Sequence, residues 1–179
     1  MALIYITLLQ PMRAAYLEGL PELLQDAFHA RTRVVESDID ISFAFHQSLN
    51  QYHGSAILLR LTETAPPEAS KILGITEVDL FVPVFDFLFG EAQLGGAGAL
   101  MSTFRLRNEL YGLPADEELF YERIGKEAIH ELGHAFGLVH CFNPACVMNP
   151  STFVEQIDNK SKDFCRQCRR LVEDETAKA

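Results

Sequence analysis

The stretch HELGHAFGLVH, residues 130–140, decides how this chain is read. His130 and His134 are four apart, so on a helix they stand one turn above each other on one face. Two imidazoles at that spacing grip a single zinc ion at about 2.0–2.1 Å each. Glu131 directly follows the first histidine, which sets its carboxylate beside the metal without ligating it, the position of a general base acting on water. Gly137 supplies the left-handed conformation that ends a helix. A helix continued straight would carry His140 about 9 Å along the axis from His134 at 1.5 Å per residue; a turn at Gly137 instead brings His140 back as a third ligand. Three protein ligands leave one position open, which marks a catalytic zinc site, not a structural one.

Upstream, Phe120, Ile124, Ala128, Leu132 and Phe136 recur every fourth residue and predict an apolar stripe for the core. Arg123, Glu127, His130, Glu131 and His134 fall on the other side, so these histidines line something polar. Lys126 and Glu127 are expected as exposed helix residues, with the alternative that Glu127, one turn before Glu131, faces the cleft. Earlier still, apolar runs at 2–9, 31–36 and 73–82 suit strands, the last ending at Pro83. Helical spacing after Pro11, with Pro21 as a kink or restart, and over 46–61 separates them. This alternation predicts an α/β chain with a mainly parallel sheet. Residues 87–107 break the pattern: two apolar runs flank Gly95, Gly96 and Gly98, too close for a crossover helix. They predict a hairpin and an antiparallel edge strand near 89–94. That edge either closes the sheet or pairs with an extended peptide.

Downstream, all four cysteines fall at 141, 146, 165 and 168. Four thiolates suit a closed tetrahedral zinc site; two disulfides or free thiols are the competing readings. The run HExxHxxGxxH is the metzincin signature, and Met148, eight residues past His140, stands where a Met-turn completes it. Within that superfamily the chain resembles the archaemetzincins, through Cys141, Cys146-Val147-Met148 and the pair Cys165-Arg166-Gln167-Cys168. The resemblance implies a metzincin-like α/β (α+β) fold: a twisted, mainly parallel sheet with one antiparallel edge strand, an active-site helix and a small zinc-pinned C-terminal subdomain. It implies one catalytic domain over 1–179, with 1–137 carrying the sheet and zinc helix and 138–179 the Met-turn and cysteine site. It also implies two Zn²⁺ per chain: a catalytic ion on His130, His134 and His140, and a structural ion on Cys141, Cys146, Cys165 and Cys168. Glu131 is then the catalytic residue of a peptidase acting on peptides or proteins. A binding or scaffold module that keeps its zinc but turns over little is the alternative.

The chain has 179 residues, 15 basic and 25 acidic side chains, and a formal charge of −10. An anion of this size argues against nucleic-acid and anionic-membrane partners. The small cluster Arg166, Arg169 and Arg170 is offset by Glu173, Asp174 and Glu175. No secretion signal or membrane span is read, so a cytoplasmic, reducing setting is expected, where cysteines favour metal over disulfides. His29, His46 and His53 are expected at or near the surface, and Glu36, Asp38, Asp40 and Asp86 as solvated groups. The last eleven residues, from Arg169, are expected as a solvated helix end and frayed tail. No residue for an extra oxyanion donor or for anchoring a free amine is identifiable, and oligomeric state is not encoded in any recognisable pattern.

Overall fold

The computed structural model describes residues 1–178. Its frame is a five-stranded sheet built from β1 (Leu3–Leu8), β2 (Arg31–Glu36), β5 (Lys71–Thr76), β8 (Gly90–Ala92) and β9 (Gly98–Ser102) in the order β2-β1-β5-β9-β8. The first four strands in that order run parallel, and β8 alone is antiparallel, paired with β9 through Gly90–Met101, Glu91–Leu100 and Ala92–Ala99. The mainly parallel sheet with one antiparallel edge strand is therefore as the sequence predicts. β1 and β5 are apolar and inaccessible because helices cover both faces of the sheet.

On one face lie α1 (Leu20–Phe28) and α3 (Glu117–Ala135), whose Phe28, Phe120, Ile124, Ala128 and Leu132 join Ile4, Ile6, Leu73 and Met101 in the larger core. On the other, α2 (Gly54–Glu63) packs Ile57, Leu58 and Leu61 against Tyr5, Ile72 and Leu100. Pro21 sits in the first turn of α1, where its missing N–H costs nothing. Asp116 caps α3 by accepting the Leu119 N–H at 3.0 Å, and Glu117 and Glu118 complement its N-terminal dipole.

A second sheet, order β3-β4-β6-β7, was not foreseen; it comprises β3 (Phe45–His46), β4 (Gln51–His53), β6 (Leu80–Val82) and β7 (Phe85–Leu88). It corrects two boundaries. The expected helix over 46–61 begins only at Gly54, because Asn50 turns the chain at φ 54° and the His53 ring accepts the Ala56 N–H as an N-cap. The expected strand 73–82 is split at Asp79, which Arg105 grips with two hydrogen bonds of 2.6 and 2.7 Å. Its two halves thus join different sheets.

The C-terminal segment carries α4 (Val154–Asn159) and α5 (Arg166–Lys178). Here the expectation of a solvated end is corrected: Val172 and Thr176 are buried, and Arg169 donates to the Ala27 carbonyl of α1 at 2.5 Å. The expected frayed terminus, Ala179, lies outside the described residues. No described helix is long and apolar enough to cross a membrane.

Candidate active site

The three motif histidines are brought together by one helix and one turn. α3 places the His130 and His134 rings 4.7 Å apart. Beyond Ala135 the chain reverses at Gly137, φ 91°, with the Gly137 N–H bonded to the His134 carbonyl at 2.8 Å and the Leu138 N–H to the Gly133 carbonyl at 2.9 Å. This pair of bonds is a Schellman motif, which needs the left-handed residue that glycine supplies. The turn returns His140 to 4.8 Å from His134 and 5.4 Å from His130, ring to ring.

The turn orients one ring, and the Met148 loop the other. His134 Nδ1 lies 2.7 Å from the Leu138 carbonyl and His130 Nδ1 2.8 Å from the Val147 carbonyl. A carbonyl only accepts, so both Nδ1 atoms carry protons. Burial, and next the Lys160 charge, hold the His130 pKa well below its ordinary value, and burial lowers that of His134 as well; both rings are neutral. Two Nε2 lone pairs therefore face each other at 3.1 Å. Two nitrogens on one tetrahedral zinc stand about 3.3 Å apart at Zn–N of 2.0–2.1 Å, so the spacing fits a shared cation. His140 completes a donor set confined within 4.8 Å.

Glu131 is buried beside them against β8, where Gly90 leaves it room: a Cβ at Gly90 would lie 2.6–2.7 Å from the Glu131 Cγ, Cδ and Oε1. Burial, and then the charge of Glu127, push its carboxyl well above the usual range in the metal-free chain; a cation on the histidines acts in the opposite direction.

The four cysteines also converge. Their sulfurs lie within 4.8 Å of one another, none is disulfide-bonded, and Cys141 and Cys165 are 3.8 Å apart. That is far beyond a disulfide's roughly 2.05 Å, and close to the ~3.8 Å sulfur spacing of a tetrahedral site with Zn–S near 2.3 Å. The Cys168 backbone N–H is the chief cause lowering Cys165 to about 7, whereas burial raises Cys146 and Cys168. Met148 joins the two centres: its carbonyl accepts the Cys141 N–H at 2.9 Å, while its side chain packs beneath α3 at Gly133, where a Cβ would collide with the sulfur.

One correction concerns α3 itself. Lys126 and Glu127 are buried, not exposed. Lys126 pairs with Glu122 at 2.9 Å and donates to the Asp158 carbonyl at 3.1 Å, while Glu127 faces the cleft. Buried Lys160 sits 3.3 Å from Glu127 Oε1 and donates to the Asn149 carbonyl at 3.1 Å. Glu127 was visible in the sequence as one turn before Glu131, but nothing there pairs it with a lysine 33 positions on. His29 and His46 are exposed and His53 half-buried, as expected.

Glu127, His130, Glu131, His134, His140 and Lys160 line a cleft of about 790 Å³, together with Val82–Ala92 and Pro150–Thr152. Fold and cleft together are those of a zinc metallopeptidase, an enzyme acting on peptide or protein substrates. The sequence profile of peptidase family M54 matches residues 40–174, and the chain belongs to that family. The archaemetzincin of Methanocaldococcus jannaschii is 42% identical over 137 residues, covering 76% of this chain and 74% of its own. A crystal structure of a zinc-dependent peptidase from Methanocorpusculum labreanum superposes with a TM-score of 0.85 at 31% identity, over 94% of this chain and 99% of that one. The archaemetzincin of Archaeoglobus fulgidus, solved with malonate, gives 0.80 at 39% identity, over 94% and 99%.

Proposed function

We propose that His130, His134 and His140 hold the catalytic zinc, that Glu131 is the general base of peptide hydrolysis, and that Cys141, Cys146, Cys165 and Cys168 hold a second, structural zinc. The observation carrying this reading is the facing pair of Nε2 lone pairs at 3.1 Å with both Nδ1 protons already committed to carbonyls. Bound zinc supplies Lewis acidity, lowering the pKa of water toward about 7 and polarising a carbonyl oxygen.

The chain's own groups do the rest. Glu131 takes a proton from the attacking water and returns it to the leaving amide nitrogen. Among the described residues β8 pairs only with β9, which leaves its outer edge to hydrogen-bond an extended substrate backbone alongside Glu131. Gly90, at that edge, keeps the base and the peptide from competing for one volume. The carbonyls of Leu138 and Val147 hold the rings of His134 and His130 in the ligating tautomer.

The division into 1–137 and 138–179 follows from this assignment: the first part supplies the sheet and two histidines, the second His140, the Met148 turn and the thiolates. Cysteines without disulfides suit a cytoplasmic setting, and a net charge of −10 disfavours nucleic acid as a partner. Replacing Glu131 with Ala tests the mechanism. Metal analysis should still find about two zinc per chain while hydrolysis of a peptide library disappears; unchanged turnover would refute the role of Glu131.

A further inference from the structure

The cleft continues past Glu131 toward the N-terminal end of α3, where its lining turns from catalytic to recognising. Glu127 stands there one helical turn before Glu131, and Lys160 reaches in from the end of α4; both side chains are at most 3% exposed. Their contact, Lys160 Nζ to Glu127 Oε1 at 3.3 Å, lacks hydrogen-bond geometry, and that oxygen has no hydrogen-bond donor. Across the recess Ser151 Oγ is also buried without a partner. Glu127 Oε1 and Ser151 Oγ, with Glu91 Oε2 as a third unpartnered oxygen in the same cleft, and the Lys160 ammonium are thus held beneath a largely apolar wall at 82–89. Stability alone does not call for this, because a buried pair is commonly no better than apolar side chains of similar volume. Lys160 is held by the Asn149 carbonyl and lies 3.5 Å from His130 Nδ1, and the helix bearing Asp158 is tied to α3 by Arg123 through two 2.7 Å hydrogen bonds.

We propose that this recess is a specificity subsite that receives a substrate side chain flanking the scissile bond and selects an uncharged group with both a donor and an acceptor, above all the primary amide of glutamine or asparagine. The proposal rests on the peptidase reading above and adds the class of side chain that this site takes. An amide N–H donates to Glu127 Oε1 while its carbonyl accepts from Lys160, and the Ser151 hydroxyl serves either end. An aliphatic side chain would expel water and leave Glu127 and Ser151 unpaired, a loss that polar sites use to reject apolar analogues. A cation would approach Lys160 and an anion Glu127, so each single charge meets one repulsive neighbour.

The test uses the zinc-loaded protein and peptides varied only at the residue on the leaving-amine side of the scissile bond, as Gln, Asn, Leu, Lys or Glu, with a matching series on the other side. Wild type should favour Gln or Asn over Leu, Lys and Glu by about tenfold or more in kcat/KM in one of the two series. The double variant Glu127→Leu, Lys160→Met, which keeps an apolar volume without a lone buried charge, should invert the order toward Leu. Ser151→Ala, a milder change, should narrow the Gln-to-Leu ratio in the same direction. The zinc content of each variant is measured alongside. Binding of both series to the Glu131→Gln variant gives a readout independent of turnover. Cleavage by wild type with equal rates across both series, or an order that the double variant leaves unchanged, overturns the subsite. Absence of cleavage with tighter binding of the amide peptides to Glu131→Gln would sink the catalytic reading and leave the subsite standing.

Discussion

Glycine 90 does for Glu131, the proposed base, what the carbonyls of Leu138 and Val147 do for His134 and His130, the proposed ligands: each confines one side chain to one place. A methyl group at position 90 would overlap the Glu131 side chain at 2.6–2.7 Å. Gly90→Ala should therefore lower kcat by roughly tenfold to a hundredfold, since a displacement of about 1 Å at a reacting group is that costly. Zinc content should stay unchanged, and metal analysis beside steady-state kinetics checks the split. Gly133→Ala acts on the other side of the helix, against the Met148 sulfur. Overpacking there should cost about 1–3 kcal/mol in chemical denaturation, and because Met148 lies under the histidine-bearing turn, metal affinity should fall with it.

At the scale of elements, α3 is the organiser, and the short α4 is what fixes its buried cations. Arg123 donates to both oxygens of Asp158, to the Leu106 carbonyl at 2.7 Å and to Asn108 Oδ1 at 2.8 Å, while Lys126 reaches the Asp158 backbone. Asp158→Asn leaves Arg123 with a neutral partner in a buried position. Loss of stability on the order of 3 kcal/mol is expected, as for breaking a buried pair, measured as a shift in urea midpoint at constant slope. α5 depends on a different fastening. Its Cys168 and the preceding Cys165 lie beside Cys141 and Cys146, so the proposed structural zinc would tie it to the Met148 loop, and Arg169 ties it to α1. A Cys165→Ser, Cys168→Ser variant should drop from two zinc per chain to one, lose several kcal/mol of stability, and be trimmed by protease at 160–178. Retention of both ions in that variant would return these cysteines to the status of free thiols.

For the whole molecule, the two proposed metal centres share the loop 141–149, so stripping one should weaken the other. Titration with a chelator, followed by thiol labelling and thermal unfolding, should show Tm falling as the cysteines become reactive, in a metal-concentration-dependent way. Much of this architecture is legible in the sequence where it rests on local repetition. The histidine spacing, the four-residue apolar period of α3, the Gly137 turn and the hairpin at 87–107 are all set within a few residues of each other. The second sheet is not legible, since β3, β4 and β6 are two or three residues long and acquire meaning only by pairing with one another. Asp79 shows why: a single side chain held by Arg105 from 26 positions away divides one apolar run between two sheets.

The sequence by itself determined the chemistry of this protein, because zinc ligation and base catalysis demand particular residue types at spacings set by one helical turn and one glycine. Only the tertiary structure decided what surrounds that chemistry. Lys126 and Glu127 look like ordinary solvated helix residues until α4 and the strand of chain beyond it bury them. Charged groups enter an interior only when partners meet them there: Lys126 has Glu122 one turn away but also the distant Asp158 carbonyl, and Glu127 has the distant Lys160, and these distant partners carry no local signature.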